Sequence, residues 1–381
     1  MKIVYILRVF AAKGGMERIF SDKMNYLADV AGYDVTFITY EQGSHRPAFP
    51  LSDKVRRVSL DFRFFTLYAQ PLPGRGLSYL RMRRAFKKKL TATLDALRAD
   101  VVVFSTYEIL HLDFLLDLPY RCVVESHVYR KEVSIFSRSA PKLQRWIQKW
   151  VMARSLRKAR KAARVVVLTE NDRREWKGYT NLTVIPNALT AYPDTVPPTA
   201  MRPKRIIAVG RLHPQKGFDL LAEAWQEVAP RHPDWSIAVF GDGGDRERLQ
   251  ALTRQLGIAG TMTFMGATDD IYSAYMNSAF FVMSSRYEGW GLVLVEAMAC
   301  GLPCVSFDCP YGPGDIINDG ENGLLVENGN VSQLAACMER LIDNSDIREA
   351  MSARAREKAA LFTKDKVMAA WTNLFENLLS T

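Results

Sequence analysis

Residues 205–225, RIIAVGRLHPQKGFDLLAEAW, read as a buried strand, a loop carrying Arg211 and Lys216, and a helix that starts near Gly217. The strand's apolar run is continuous rather than alternating, the pattern of a strand covered on both faces in a parallel sheet. The same unit recurs along the chain. Strands are expected at 3–7, 35–40, 101–105, 121–125, 165–169 and 183–185, then at 205–210, 236–241, 262–265, 280–283, 304–307 and 323–326, with helical patterns between most of them. Strand–helix alternation in both halves predicts two doubly wound α/β units.

A length of 381 residues exceeds what one hydrophobic core usually serves, which also favours two domains. Hydrophobic residues make up 48% and charged residues 24%, a balance that excludes a disordered chain. Residues 1–200 carry 34 Lys+Arg against 18 Asp+Glu, net +16, and the remainder carries 17 against 23, net −6. The overall +10 therefore conceals a basic first half that should face something anionic. No run of 18 apolar residues exists, and the opening apolar stretch is broken at Arg8, so neither a spanning helix nor a secretory leader is expected. The cysteines Cys122, Cys300, Cys304, Cys309 and Cys337 form no Cys-x-x-Cys pair and read as reduced structural thiols rather than a disulfide framework or a zinc site.

The stretch 187–203 is rich in proline and lacks periodicity, which marks a boundary. The expected division is a first domain over 1–190, a linker over 191–203, a second domain over 204–362, and a terminal helix over 363–381 returning to the first domain. A ligand cleft is expected where domains meet and at the carboxyl ends of parallel strands.

Three loops fall at such ends. Arg211 and Lys216 stand beside a helix start, where two cations, backbone N–H groups and the helix dipole suit a diphosphate. The run Gly241-Asp242-Gly243-Gly244 follows another strand and allows a sharp turn or a close backbone approach to a ligand. The three-glycine dinucleotide fingerprint is absent, which argues against a nicotinamide enzyme. Residues 284–307, SSRYEGWGLVLVEAMACGLPCVSF, run from a strand end through a polar loop into an apolar helix capped by Gly301. Glu296 sits on that apolar helix and needs donors, which ribose hydroxyls would supply. Glu288 precedes the helix where a sugar would sit, and N–H groups near Gly291 suit phosphate oxygens.

With these residues assembled, the chain resembles the retaining glycosyltransferases of family 4. The resemblance rests on Gly210-Arg211-Leu212…Lys216-Gly217, on Glu288 and Glu296 with seven residues between them, the first opening the run Glu288-Gly289-Trp290-Gly291-Leu292, and on Gly14-Gly15-Met16-Glu17-Arg18. It implies the GT-B fold, two Rossmann-like doubly wound parallel-sheet domains facing a central cleft, with the nucleotide sugar held by the second domain and the acceptor by the first. It further implies that Arg211 and Lys216 hold the donor diphosphate, Glu296 the ribose and Glu288 the transferred sugar, with Gly210, Gly241, Asp242, Gly243, Gly289, Trp290, Gly291 and Leu292 around them. Gly15 would approach the phosphates, and His127, in the run Glu125-Ser126-His127, would approach the sugar's C6 hydroxyl. The implied reaction is front-face displacement of a hexose or N-acetylhexosamine from a uridine-diphosphate sugar, in assembly of bacterial surface polysaccharide or lipid-linked oligosaccharide. The loop 308–315 near the sugar pocket, DCPYGPGD, departs from other branches and leaves the donor open. No Asp-x-Asp motif occurs, so neither a metal nor another cofactor is expected.

Residues 79–97 form an amphipathic helical pattern. Tyr79, Met82, Phe86, Leu90, Leu94 and Leu97 make an apolar stripe, and Arg81, Arg84, Lys87 and Lys88 lie away from it. Residues 133–169 hold ten basic residues and no acidic one. Such helices fit an anionic membrane surface or the diphosphate of a polyprenyl-linked acceptor, which would place the protein in the cytoplasm, peripheral on the inner face of the cytoplasmic membrane. The alternative is a solvated face over a stripe that binds the domain's own core. No recognised nucleic-acid module accompanies the charge, so nucleic acid is not an expected partner. Other readings are a different two-domain sugar-nucleotide enzyme, such as an epimerase, and a basic membrane-binding scaffold.

Overall fold

The apolar runs become strands of two sheets in a computed structural model that describes residues 1–11, 14–69, 72–127 and 142–380. The first sheet contains β1 (Lys2–Leu7), β2 (Asp34–Thr39), β3 (Arg56–Ser59), β4 (Val101–Ser105), β5 (Cys122–Glu125), β6 (Arg164–Val167) and β7 (Leu182–Val184), in the order β3-β2-β1-β4-β5-β6-β7. The second contains β8 (Arg205–Val209), β9 (Ser236–Phe240), β10 (Met262–Gly266), β11 (Phe280–Met283), β12 (Cys304–Phe307) and β13 (Gly323–Val326), in the order β10-β9-β8-β11-β12-β13. All of these strand pairings are parallel.

Both orders reverse direction once, between β1 and β4 and between β8 and β11. Loops on the two sides of such a point diverge, which opens a crevice beyond the carboxyl ends of the central strands. β4 is buried along its whole length, as a strand covered on both faces should be. β3 departs from the expectation, because its sequence RRVS is polar and mostly exposed. It forms because edge strand β2 offers backbone partners, Thr36 facing Arg56 and Ile38 facing Val58, and hydropathy carries no trace of that.

The chain divides into two units, Met1–Val167 with Arg173–Ile185 and Met368–Thr381, and Leu168–Asp172 with Pro186–Val367. The proline-rich stretch 191–203 lies inside the second unit. Arg202 there donates to the carbonyls of Pro197 and Cys300 at 2.8 Å each, and Arg356 donates to that of Asp194 at 3.0 Å. Within the first unit, Tyr33 of the helix–β2 turn donates to Glu376 at 3.0 Å.

In the first unit Phe86, Leu90 and Leu94 of helix Leu72–Leu97 are fully buried against Val102, Phe104 and Val124. Burial contributes about 2 kcal/mol for each such side chain. The apolar stripe of this helix therefore faces the sheet. In the second unit Leu221, Trp225 and Val228 of helix Phe218–Val228 pack with Leu334, Met338 and Leu341 of helix Val331–Asp343 over Ile206 and Val239. Gly301 ends helix Leu292–Ala299 in the left-handed conformation, φ 70°. Its N–H donates to Met298 and that of Leu302 to Ala297, the paired bonds of a Schellman cap.

Candidate active site

The loops after β8 and β11 lie at the switch point of the second sheet, and glycine brings them together. A Cβ on Gly217, whose φ is +63°, would stand 2.0 Å from the Ser284 carbonyl oxygen, and one on Gly241 would stand 1.9 Å from that of Gly210. Only a residue without a side chain lets the chain pass there. Hydrogen bonds then fasten the loops. Ser284 Oγ donates to the Lys216 carbonyl at 3.0 Å, the Arg286 N–H to Gln215 at 2.8 Å, and Gln215 Nε2 to the Tyr287 carbonyl at 3.0 Å. Arg286 grips Asp219 with both terminal nitrogens, at 2.9 and 3.0 Å, and donates to the Pro214 carbonyl at 2.7 Å. Burial opposes the Asp219 charge, but Arg286 outweighs it and holds that carboxyl below its usual value.

Lys216 reaches across to Glu288, Nζ to Oε1 at 2.6 Å, and the same oxygen accepts the Ser285 hydroxyl at 2.6 Å. Glu288 is only 6% exposed, so it depends on these donors. Its N–H donates to Pro310 at 3.3 Å, which sets the loop 308–315 directly behind it. Burial first, then the charge of Glu288, pushes the neighbouring Cys309 thiol far above its ordinary range. Arg211 stands exposed on its loop, and Asp242, also exposed, accepts the Gly243 N–H at 2.9 Å. Gly291 turns the chain, at φ 90°, into helix Leu292–Ala299, whose first N–H groups have no partner within the helix. Trp290 is buried edge-on against Phe362, ring centroids 5.1 Å apart.

Glu296 is 4% exposed, and the Tyr275 hydroxyl donates to it at 3.4 Å. A protein donor thus already reaches the carboxylate for which the sequence suggested only ribose hydroxyls. Tyr275 lies 21 positions away, and only the packing of helix Ile271–Met276 reveals it.

In the first unit, β5 ends in Glu125. Its Oε2 accepts Lys23 Nζ at 2.5 Å and lies 3.0 Å from His127 Nε2. All three side chains are at most 4% exposed. The Lys23 ammonium also lies 3.6 Å from the ring centre of Trp371. Burial would raise the Glu125 carboxyl, but Lys23 and His127 together hold it below its ordinary value. A carboxylate at Nε2 puts the proton on that nitrogen and leaves Nδ1 as an acceptor; Nδ1 has no partner among the described residues. Sequence reading missed Lys23, although it interrupts the apolar face formed by Phe20, Met24 and Leu27 of helix Gly15–Asp29. A cation on such a face needs a buried carboxylate. Gly15 is the first residue of this helix.

The basic residues divide. Arg84 and Lys87 line a groove beside helix Lys142–Lys158, together with Arg83, Arg154 and Lys158. Arg81 and Lys88 are exposed but do not line it. Residues 133–141 of the second basic stretch lie outside the described residues. Met152 and Leu156 anchor the following helix in the core, whereas Trp146, Ile147, Trp150 and Val151 remain exposed.

Two family descriptions match nearly end to end: Glycosyltransferase Family 4 over residues 13–190 and Glycosyl transferases group 1 over residues 195–358. An uncharacterized glycosyltransferase of Haemophilus influenzae is 27% identical over 98% of this chain and 99% of its own. The amylovoran biosynthesis glycosyltransferase AmsD of Erwinia amylovora is 25% identical over 98% and 99%. Among solved structures, Anabaena HepE in complex with UDP superposes with a TM-score of 0.74 at 18% identity, covering 100% of both chains. With two switch-point sheets and the Lys216–Glu288 pair at the second, the chain belongs to glycosyltransferase family 4, with the GT-B fold and the activity of a glycosyltransferase.

Proposed function

We propose that the protein is a retaining, metal-independent transferase that moves a hexose or N-acetylhexosamine from a UDP-sugar to a glycan or lipid-linked acceptor in bacterial surface polysaccharide assembly. The observation that carries this reading is the Lys216–Glu288 pair at the switch point of the second sheet. Lys216 and Arg211, with the free N–H groups at the start of helix Leu292–Ala299, take up charge on the departing diphosphate, the electrostatic contribution that is often largest in catalysis. Glu288 orients the sugar and Glu296 the ribose. Gly15 leaves room for phosphate oxygens, and His127 offers Nδ1 to a sugar hydroxyl. As the C1–O bond breaks, its electron pair leaves with the diphosphate. The acceptor oxygen bonds to C1 on the same face, and its proton passes to a leaving-group phosphate oxygen. The UDP bound to HepE and the name of AmsD as an amylovoran biosynthesis glycosyltransferase support the donor and the setting. Among the described residues no helix is long and apolar enough to cross a membrane, and the exposed cations of the first unit support a peripheral place on the inner face of the cytoplasmic membrane.

The test incubates the protein with UDP-sugars, with and without acceptor, in excess EDTA. Sugar should leave the donor only when acceptor is present, and NMR should show the donor's anomeric configuration in the product. Conversion of donor without acceptor would favour an epimerase. Loss of activity restored by magnesium would overturn metal independence.

A further inference from the structure

The switch point of the first sheet also carries a pocket. Arg8 beyond β1, Glu41 beyond β2 and His111 beyond β4 line a cavity of about 410 Å³ whose walls include Phe64, Phe65 and Tyr79. Aromatic faces with a few polar groups are the usual composition of a small-molecule site. Burial and the nearby Arg8 push His111 down to about 4, so its imidazole is neutral, and its Nδ1 has no partner among the described residues.

Tyr79 and His111 also line the groove beside helix Lys142–Lys158, a cavity of about 830 Å³, so the two spaces lie side by side. Groove chemistry differs from pocket chemistry. Arg83, Arg84, Lys87, Arg154 and Lys158 face Asp113 and Asp117 there, an excess of three positive charges. Both carboxylates are already engaged, Asp113 by Arg83 at 3.2 Å and Asp117 by Lys158 at 2.7 Å. Lys87 lies over the Phe114 ring at 4.8 Å and has no ion pair among the described residues. Apolar side chains share the same lining: Trp150 is 54% exposed, Ile147 47% and Leu80 63%. An anion alone has no use for these, and a purely apolar ligand none for the cations.

We propose that this groove binds the diphosphate and first isoprene units of a prenyl-diphosphate-linked acceptor, whose saccharide lies in the aromatic pocket at the switch point. The saccharide part rests on the transferase reading; the groove does not. A flat anionic bilayer would meet Arg81 and Lys88 as readily as Lys87, whereas a ligand in the groove would not.

Calorimetric titration of the full chain with farnesyl diphosphate, below its micellar concentration, tests the assignment against farnesol and inorganic diphosphate. Farnesyl diphosphate should bind at least about tenfold tighter than either fragment, since both halves of the groove are used. Lys87→Gln and Arg154→Gln should each weaken it about fivefold. Trp150→Ser should weaken it too, while Arg81→Gln and Lys88→Gln leave it unchanged. Equal binding of a fragment, or equal losses from Arg81→Gln and Lys88→Gln, would overturn the proposal in favour of a nonspecific charged surface. Selective farnesyl diphosphate binding without sugar transfer from any donor would sustain the groove and remove the transferase reading. Transfer to a lipid-linked acceptor with unchanged acceptor KM in Lys87→Gln/Arg154→Gln would do the reverse.

Discussion

Lys216 Nζ stands 2.6 Å from Glu288 Oε1, although the residues are 72 positions apart. Their contact joins the loop after β8 to the loop after β11. It keeps a buried carboxylate satisfied and holds an ammonium where a helix start adds its own positive end. A donor diphosphate entering beside Gly291 would draw on the same ammonium, and Ser285, at 2.6 Å from Glu288, would then keep the carboxylate hydrogen-bonded.

Lys216→Ala and Arg211→Ala should each lower turnover by roughly a hundredfold, the loss typical of one preorganised donor. They should differ in stability. Arg211 is exposed, so its removal leaves the melting temperature unchanged, whereas Lys216→Ala strips Glu288 of its cation and lowers it. Steady-state kinetics and thermal denaturation on both variants check this; full activity in the double variant would remove both residues from the phosphate site.

Arg286 touches both loops without being part of the pair. Arg286→Lys keeps the charge but cannot span both Asp219 oxygens and the Pro214 carbonyl. Donor KM should rise about tenfold while kcat falls less, because the loss loosens the Lys216 loop rather than removing a group that meets charge. A kcat loss equal to that of Lys216→Ala would contradict a positioning role.

Lys23→Met leaves the Glu125 carboxylate buried with only His127 beside it. Breaking a buried pair from one side costs about 3–5 kcal/mol. The double variant Lys23→Met/Glu125→Gln should recover much of that loss, and denaturant unfolding measures both. Because Lys23 and His127 depress the Glu125 carboxyl in the folded chain, its contribution is present above the ordinary carboxylate range and fades as pH falls through the folded value.

His111 titrates at about 4 when folded and near 6.5 otherwise. Between these values the unfolded chain takes up a proton that the folded chain refuses, so stability is full above pH 6.5 and falls as pH drops toward 4. The total is about 3 kcal/mol. In His111→Asn the melting temperature should depend less on pH across that window; an unchanged slope would show that His111 is not the group responsible.

Local patterns in the chain determined the strands, because continuous apolar runs specify burial on both faces wherever they occur. All twelve expected strands coincide with strands of the two sheets, only the polar β3 having no apolar run to announce it, and Gly301 ended its helix through cap bonds that reach only five positions back. The order of Gly-Arg…Lys-Gly and Glu…Glu at strand ends likewise marked the loops of the second sheet. Tertiary structure alone decided the pairings: Lys216 with Glu288 across 72 positions, Lys23 with Glu125 across 102, and Tyr275 with Glu296. It also placed Lys87 in a groove and left Lys88 outside, a difference of one position on one helix. The reason is the range of the forces involved. Periodicity, turns and caps are set by neighbours in sequence, whereas a buried charge finds its partner only after the strand order has decided which loops share a sheet end.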